Sequence, residues 1–106
     1  MGAETIFTFH AMDRVADRLN MTPEAVREIL DQDKVIMLGY EPGTRKVHRL
    51  FYSIPDQAHF VAVQEERTRE VITILPFEFG AYRTSFYDMR GLRIVKERAK
   101  EKAMGT

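Results

Sequence analysis

The chain contains no cysteine, and this absence excludes disulfide bonds, thiolate catalysis and cysteine-based zinc sites. It also lacks an apolar run of the roughly 20 residues that a membrane-spanning helix needs, so we expect no membrane partner. Its N-terminus has neither the basic region nor the long apolar region of a signal peptide. Together these features predict a cytoplasmic location.

An excess of charge of either sign is absent as well. Sixteen Lys and Arg residues balance sixteen Asp and Glu residues, whereas dedicated nucleic-acid binders usually carry a basic excess. The balance argues against a broad nucleic-acid surface, but it is compatible with a local basic cleft. The chain has no phosphate-binding loop, dinucleotide fingerprint, nucleophile elbow or zinc-finger spacing. We therefore expect no cofactor and no sequence-specific binding to DNA.

The length of 106 residues predicts a single domain that can form a core without disulfides. In its N-terminal part, apolar residues recur at the spacing of a core-facing helix stripe: Met12, Val15, Ala16 and Leu19. A second helix is predicted to begin at the N-cap Thr22, with Pro23 in its first position, and to end near Gln32.

Four β-strands are predicted to follow as a meander, over residues 34–40, 47–54, 58–65 and 70–75. The last of these is apolar on both faces, which predicts a central position in the sheet. On the second strand, alternation places Tyr52 on one face and Arg49 on the other. Beyond Pro76, an aromatic segment precedes apolar positions at helical spacing, which predict a C-terminal amphipathic helix.

The predicted fold is therefore α+β, with two N-terminal helices packed on one face of a four- to five-stranded antiparallel sheet, plus the C-terminal helix. The compact core is predicted over residues 5–76 of the single domain 1–106. The aromatic segment and the helix are predicted over residues 77–104. This helix has two open interpretations, since it either packs on the domain or meets a partner.

His10 and Arg14 are the most informative pair, because residues four apart share a face of a helix. Histidine has an unperturbed pKa near ~6.5, which suits proton transfer, and arginine binds phosphate through two parallel hydrogen bonds. A metal-independent ribonuclease needs both kinds of group. The same two side chains also fit an ordinary solvated helix end.

The order of the elements and four short motifs carry a family resemblance. The first helix is entered through Phe-x-Phe-His and has the form His-Ala-x-x-Arg, and the second is introduced by Met-Thr-Pro-Glu-Ala-Val. The meander ends in Val-Ile-Thr-Ile-Leu-Pro. Over about residues 5–76 the chain resembles the small bacterial DUF4258-type domains, which are grouped with the barnase, EndoU, colicin and RelE-like ribonuclease fold.

The resemblance implies a metal-independent endoribonuclease or an RNA-binding domain of toxin type, with RNA as its substrate and an antitoxin as its protein partner. The positions that match the catalytic groups of that fold are His10, Arg14, Arg49 and Thr73. Side-chain chemistry adds Tyr52, Tyr82 and Arg83 as RNA contacts, because aromatic rings stack on bases and guanidinium groups bind phosphate.

The alternative is a non-enzymatic interaction or regulatory module of phage or mobile-element type. It would bind a protein partner, or a second copy of itself, through its C-terminal region. This alternative predicts an exposed apolar patch that includes Phe77, Phe79, Tyr82 or Phe86. The neutral net charge favours it, whereas His10 and Arg14 favour the ribonuclease.

Two further histidines, His48 and His59, lie on adjacent predicted strands and raise the question of a metal site. Metal sites in proteins use three or more ligands at regular spacing. Because these two histidines are separated and show no such spacing, we expect no metal.

Overall fold

The computed structural model describes residues 5–77 and 89–105. Within these ranges the chain forms two helices, four strands and a third helix. The elements are α1 (Phe9–Arg18), α2 (Pro23–Asp31), β1 (Ile36–Tyr40), β2 (Lys46–Ser53), β3 (Ala58–Glu65), β4 (Val71–Pro76) and α3 (Met89–Met104). The predicted α+β fold is confirmed.

Side-chain caps define where the first two helices begin. The hydroxyl of Thr8 accepts a hydrogen bond from the backbone N–H of Ala11 at 3.0 Å, so α1 starts at the next residue after Thr8. Thr22 caps α2 in the same way, with Pro23 in the first helical position. Because Gln32 is the C-cap of α2, both predicted ends of this helix are confirmed.

The strands form one antiparallel sheet in the order β1-β2-β3-β4. Successive residues of a strand point to opposite faces. The helices α1 and α2 cover one face of the sheet, and α3 covers the other. One cluster of buried side chains lies on the face covered by α1 and α2; it includes Val15, Val26, Phe51, Phe60 and Ile74. The other lies on the face covered by α3; it includes Leu50, Val61, Val63, Leu75 and Ala99.

The predicted central position of β4 is wrong, because β4 is the last strand of the four-stranded ladder. Its apolar character has another cause: Ile74 packs beneath α1 and Leu75 packs beneath α3. The outer edge of β4 is partly covered. Phe7 forms an isolated parallel bridge with Val71, and the guanidinium of Arg18 donates to the carbonyl of Ile74 at 2.6 Å.

The helix α3 packs on the domain, which decides between the two interpretations of the C-terminal region. Near its end, the ammonium of Lys102 donates to the carbonyl of Val35 at 3.1 Å. Earlier in the helix, Lys100 lies 5.5 Å from the centre of the Tyr52 ring. Within the described ranges, no helix has both the length and the apolar character needed to cross a membrane.

Candidate functional site

His10 and Arg14 do share one face of α1, as the sequence predicts. Arg14 Nε donates to His10 Nε2 over 3.4 Å, a long hydrogen bond, and its Nη1 lies 3.7 Å from a carboxylate oxygen of Asp17. The imidazole of His10 is exposed, and the Arg14 side chain is about one-third exposed.

Arg49 and Thr73 are not brought together. Arg49 lies on the face covered by α1 and α2, where its Nη1 donates to Gln64 Oε1 at 2.9 Å. Thr73 pairs with Val63 and therefore lies on the face covered by α3. No hydrogen bond or ion pair links Arg49 to His10 within the described part of the chain. The four predicted catalytic residues thus do not meet in one cleft.

Of the three predicted RNA contacts, only Tyr52 lies in the described part of the chain, and its side chain is not open to solvent. Tyr52 is buried on the α3 face, with its ring centre 4.9 Å from that of His59 and the ammonium of Lys100 on one side. A nucleotide base could stack on Tyr52 only if α3 moved away. Tyr82 and Arg83 lie outside the described residues.

The two histidines of the sheet have separate partners. His48 Nε2 lies 3.0 Å from a carboxylate oxygen of Glu41, whereas His59 Nε2 lies 2.8 Å from the carbonyl oxygen of Lys96. Across the β2–β3 ladder His48 faces Val63, so the two imidazoles are not opposite each other. Within residues 5–77 and 89–105, no three histidine or carboxylate side chains are grouped as metal ligands.

The prediction of an exposed patch at Phe77 is wrong. Phe77 is 8 % exposed and packs in the cluster beneath α3, with the ammonium of Lys96 4.9 Å from its ring centre. The helix α3 covers the Phe77 side chain. Phe79, Tyr82 and Phe86, the other members of the predicted patch, lie outside the described residues.

Three exposed apolar side chains lie instead in and just before the first part of α1, where Phe9 is 88 %, Ile6 57 % and Met12 41 % exposed. We call these three residues the α1 apolar surface. Two members of the predicted core-facing stripe, Met12 and Ala16, are exposed, because the buried face of α1 is formed by Ala11, Val15 and Leu19. The N-cap at Thr8 was the available signal: it makes Phe9 the first helical residue, three positions before Met12.

A polar cavity of about 260 Å³ lies between the end of α2 and the β3–β4 turn. We call it the Arg49 pocket; its lining comprises Leu30, Asp31, Asp33, Arg49, Glu66 and Arg69. Arg69 Nη2 approaches Asp31 at 3.7 Å, and the hydroxyl of Tyr40 donates to Glu66 at 2.5 Å. That hydrogen bond raises the pKa of Tyr40 above its ordinary value.

None of the family models, curated proteins or solved structures with which the chain was compared matches it. Function is therefore inferred from the contacts of the chain itself. Three features are candidates for a functional role: the exposed His10–Arg14 pair, the α1 apolar surface and the Arg49 pocket.

Proposed function

We propose that this chain is a non-enzymatic protein-binding module whose partner covers the α1 apolar surface. The observation that carries the proposal is the 88 % exposure of Phe9, with Ile6 and Met12 exposed beside it. Burial of apolar surface stabilises by about 25 cal/mol per Å², and aromatic side chains are common anchors of protein interfaces. A partner that covers this surface would therefore gain most from Phe9.

The charges around this surface indicate the chemistry of the partner. The first turn of α1 holds no acidic residue, and the N-terminus of a helix carries the positive end of its dipole. His10 and Arg14 pair with each other on a different face of the same helix. We expect the partner to present apolar side chains to Phe9 and an acidic group to the N-terminal end of α1.

The separation of the predicted catalytic residues supports a function without catalysis. General acid–base cleavage of RNA needs its acid, base and cationic groups within hydrogen-bond reach of one phosphate. Arg49 and Thr73 lie on opposite faces of the sheet. This leaves His10 and Arg14 without the further groups that the family resemblance implies.

Photocrosslinking from the α1 apolar surface tests the proposal. Two variants are expressed in cells of the source organism: one carries a photoreactive phenylalanine analogue at position 9, and the control carries it at position 37. Met37 is the matched control because it is 56 % exposed on β1. We expect one protein to crosslink from position 9 and not from position 37. Failure to crosslink from position 9, or the same protein captured from both positions, would count against this surface.

RNA cleavage is the second candidate function, and the exposed pairing of His10 with Arg14 favours it. The RelE-like resemblance implies His10 as the proton-transfer group and Arg14 as the phosphate-binding group. The test incubates the wild-type chain and the His10→Ala variant with RNA in EDTA. Cleavage by the wild type alone would establish this candidate, whereas intact RNA with both proteins would remove it and leave the protein-binding proposal standing.

A further inference from the structure

The Arg49 pocket lies away from the residues that the proposed function uses. Its walls come from three parts of the chain: the end of α2, the second strand and the turn between β3 and β4. Arg49 stands on β2 and is half-buried. Ligand binding at this pocket would therefore be independent of a partner at the α1 apolar surface.

A buried amide holds the guanidinium of Arg49 in place. Gln64, which is 1 % exposed, accepts from Arg49 Nη1 at 2.9 Å and donates through Nε2 to the carbonyl of Arg69 at 2.9 Å. Within the described residues, no carboxylate oxygen lies within 4.0 Å of this guanidinium. A guanidinium has five N–H donors, and the one hydrogen bond to Gln64 leaves Arg49 with charge and donors for a ligand.

The carboxylates of the pocket are held by other groups. Asp31 accepts from the hydroxyl of Thr5 at 2.5 Å, and Glu66 accepts from that of Tyr40. Asp33 lines the same cavity. The pocket thus holds one ion pair, between Arg69 and Asp31, and beside it two further acids, Asp33 and Glu66, and the guanidinium of Arg49.

The backbone around the pocket is also unusual. Asp33 and Arg69 have φ angles of 55° and 63°, in the left-handed region that favours glycine. Backbone strain of this kind persists where the surrounding structure holds it and is concentrated at functional sites. At position 69, the strained arginine brings its guanidinium to within 3.7 Å of Asp31.

We propose that the Arg49 pocket binds a small zwitterion, the size of a free α-amino acid. Its carboxylate is bound by Arg49, and its ammonium group lies between Asp33 and Glu66. A zwitterion complements both kinds of charged group in the lining, because its carboxylate pairs with Arg49 and its ammonium group pairs with the acids. The volume of about 260 Å³ also limits the ligand to a small molecule.

Titration followed by NMR tests this site. The full chain is titrated with each common L-amino acid, and the side-chain amide of Gln64 and the backbone amide of Arg69 are observed. We expect at least one amino acid to shift both signals saturably. Its N-acetyl derivative, which lacks the ammonium charge, and its methyl ester, which lacks the carboxylate, should each bind about tenfold more weakly or worse.

Substitutions locate the binding. Arg49→Gln should abolish the shifts, and Asp33→Asn should weaken binding without removing the guanidinium. Arg67→Gln, at an exposed position of the β3–β4 turn, is the matched control and should bind as the wild type does. Thermal unfolding establishes that each variant is folded.

Four outcomes would overturn the proposal: no saturable shift with any amino acid, equal binding of the N-acetyl derivative, preferential binding of inorganic phosphate, or unchanged binding by a folded Arg49→Gln variant. Because none of these experiments involves Phe9, they leave the protein-binding proposal untouched.

Discussion

Arg49 and Thr73 lie on opposite faces of the sheet. Arg49 pairs with Ala62 of β3, and Thr73 pairs with Val63, the next residue of the same strand. Because successive residues of a strand point to opposite faces, Arg49 lies on the side of α2 and Thr73 on the side of α3. A single ligand cannot contact both side chains, so the chemistry of each is confined to its own face.

This separation predicts that substitutions at the two positions act independently. We expect Arg49→Gln and Thr73→Val to change the free energy of unfolding additively, to within about 0.5 kcal/mol, because the two side chains share no partner. Urea unfolding of both single variants and of the double variant measures the coupling. A coupling energy well above about 1 kcal/mol would show that the two sites communicate through the sheet.

Asp56 connects the end of α1 to the β2–β3 turn and makes stability depend on pH. Its carboxylate accepts from the side-chain amide of Asn20 at 2.8 Å and from the hydroxyl of Ser53 at 2.6 Å. Burial raises the pKa of Asp56, but these hydrogen bonds together outweigh burial and hold the pKa below its ordinary value. The contribution is complete above the unfolded-state pKa, near ~3.9, and is lost as the pH falls through the lower folded-state pKa.

We therefore expect Asp56→Asn to be less stable than the wild type at neutral pH, by about 1–3 kcal/mol. The difference should shrink as the pH falls below about 4, because the unfolded wild-type chain then takes up a proton at Asp56 more readily than the folded chain does. Urea unfolding of both proteins across the acid range measures this. A difference that stays constant down to about pH 2 would mean that the charge of Asp56 does not stabilise the fold.

The packing of α3 on the sheet predicts contrasting effects of one charge at two positions of that helix. Ala99 is fully buried against the sheet, whereas Ile94 is 54 % exposed. Ala99→Glu should lower the free energy of unfolding by at least about 2 kcal/mol, because it buries an unpaired carboxylate. Ile94→Glu should change it by less than about 0.5 kcal/mol. Equal effects of the two substitutions in urea unfolding would argue that α3 does not pack as described.

Local features made most of the fold predictable from the sequence. Thr22 and Pro23 define the start of α2 through cap chemistry, and alternation along β2 places Tyr52 and Arg49 on opposite faces. The edge position of β4 was not predictable in this way. A strand with apolar residues on both faces has the same sequence pattern at the centre of a sheet as at an edge that helices cover on both faces. Only the tertiary structure distinguishes the two positions.

The candidate site was predictable only in part, for the same physical reason. Helical spacing places His10 and Arg14 on one face of α1. The position of Arg49 relative to α1 depends on how the sheet packs on the helices, and no local sequence pattern predicts that packing. Phe77 illustrates the opposite error. Its aromatic neighbours suggest a surface patch, whereas the later α3 buries it beneath Lys96.

The affinity of the protein that crosslinks from position 9 tests the central claim most directly. Calorimetry compares its binding to the wild type, to Phe9→Asp and to Met37→Asp, since Phe9 and Met37 are both exposed apolar residues on different elements. We predict that Phe9→Asp weakens binding by about thirtyfold or more, as expected for loss of an interface anchor, and that Met37→Asp binds as the wild type does. Equal affinities of Phe9→Asp and the wild type would contradict the assignment of the α1 apolar surface as the binding surface.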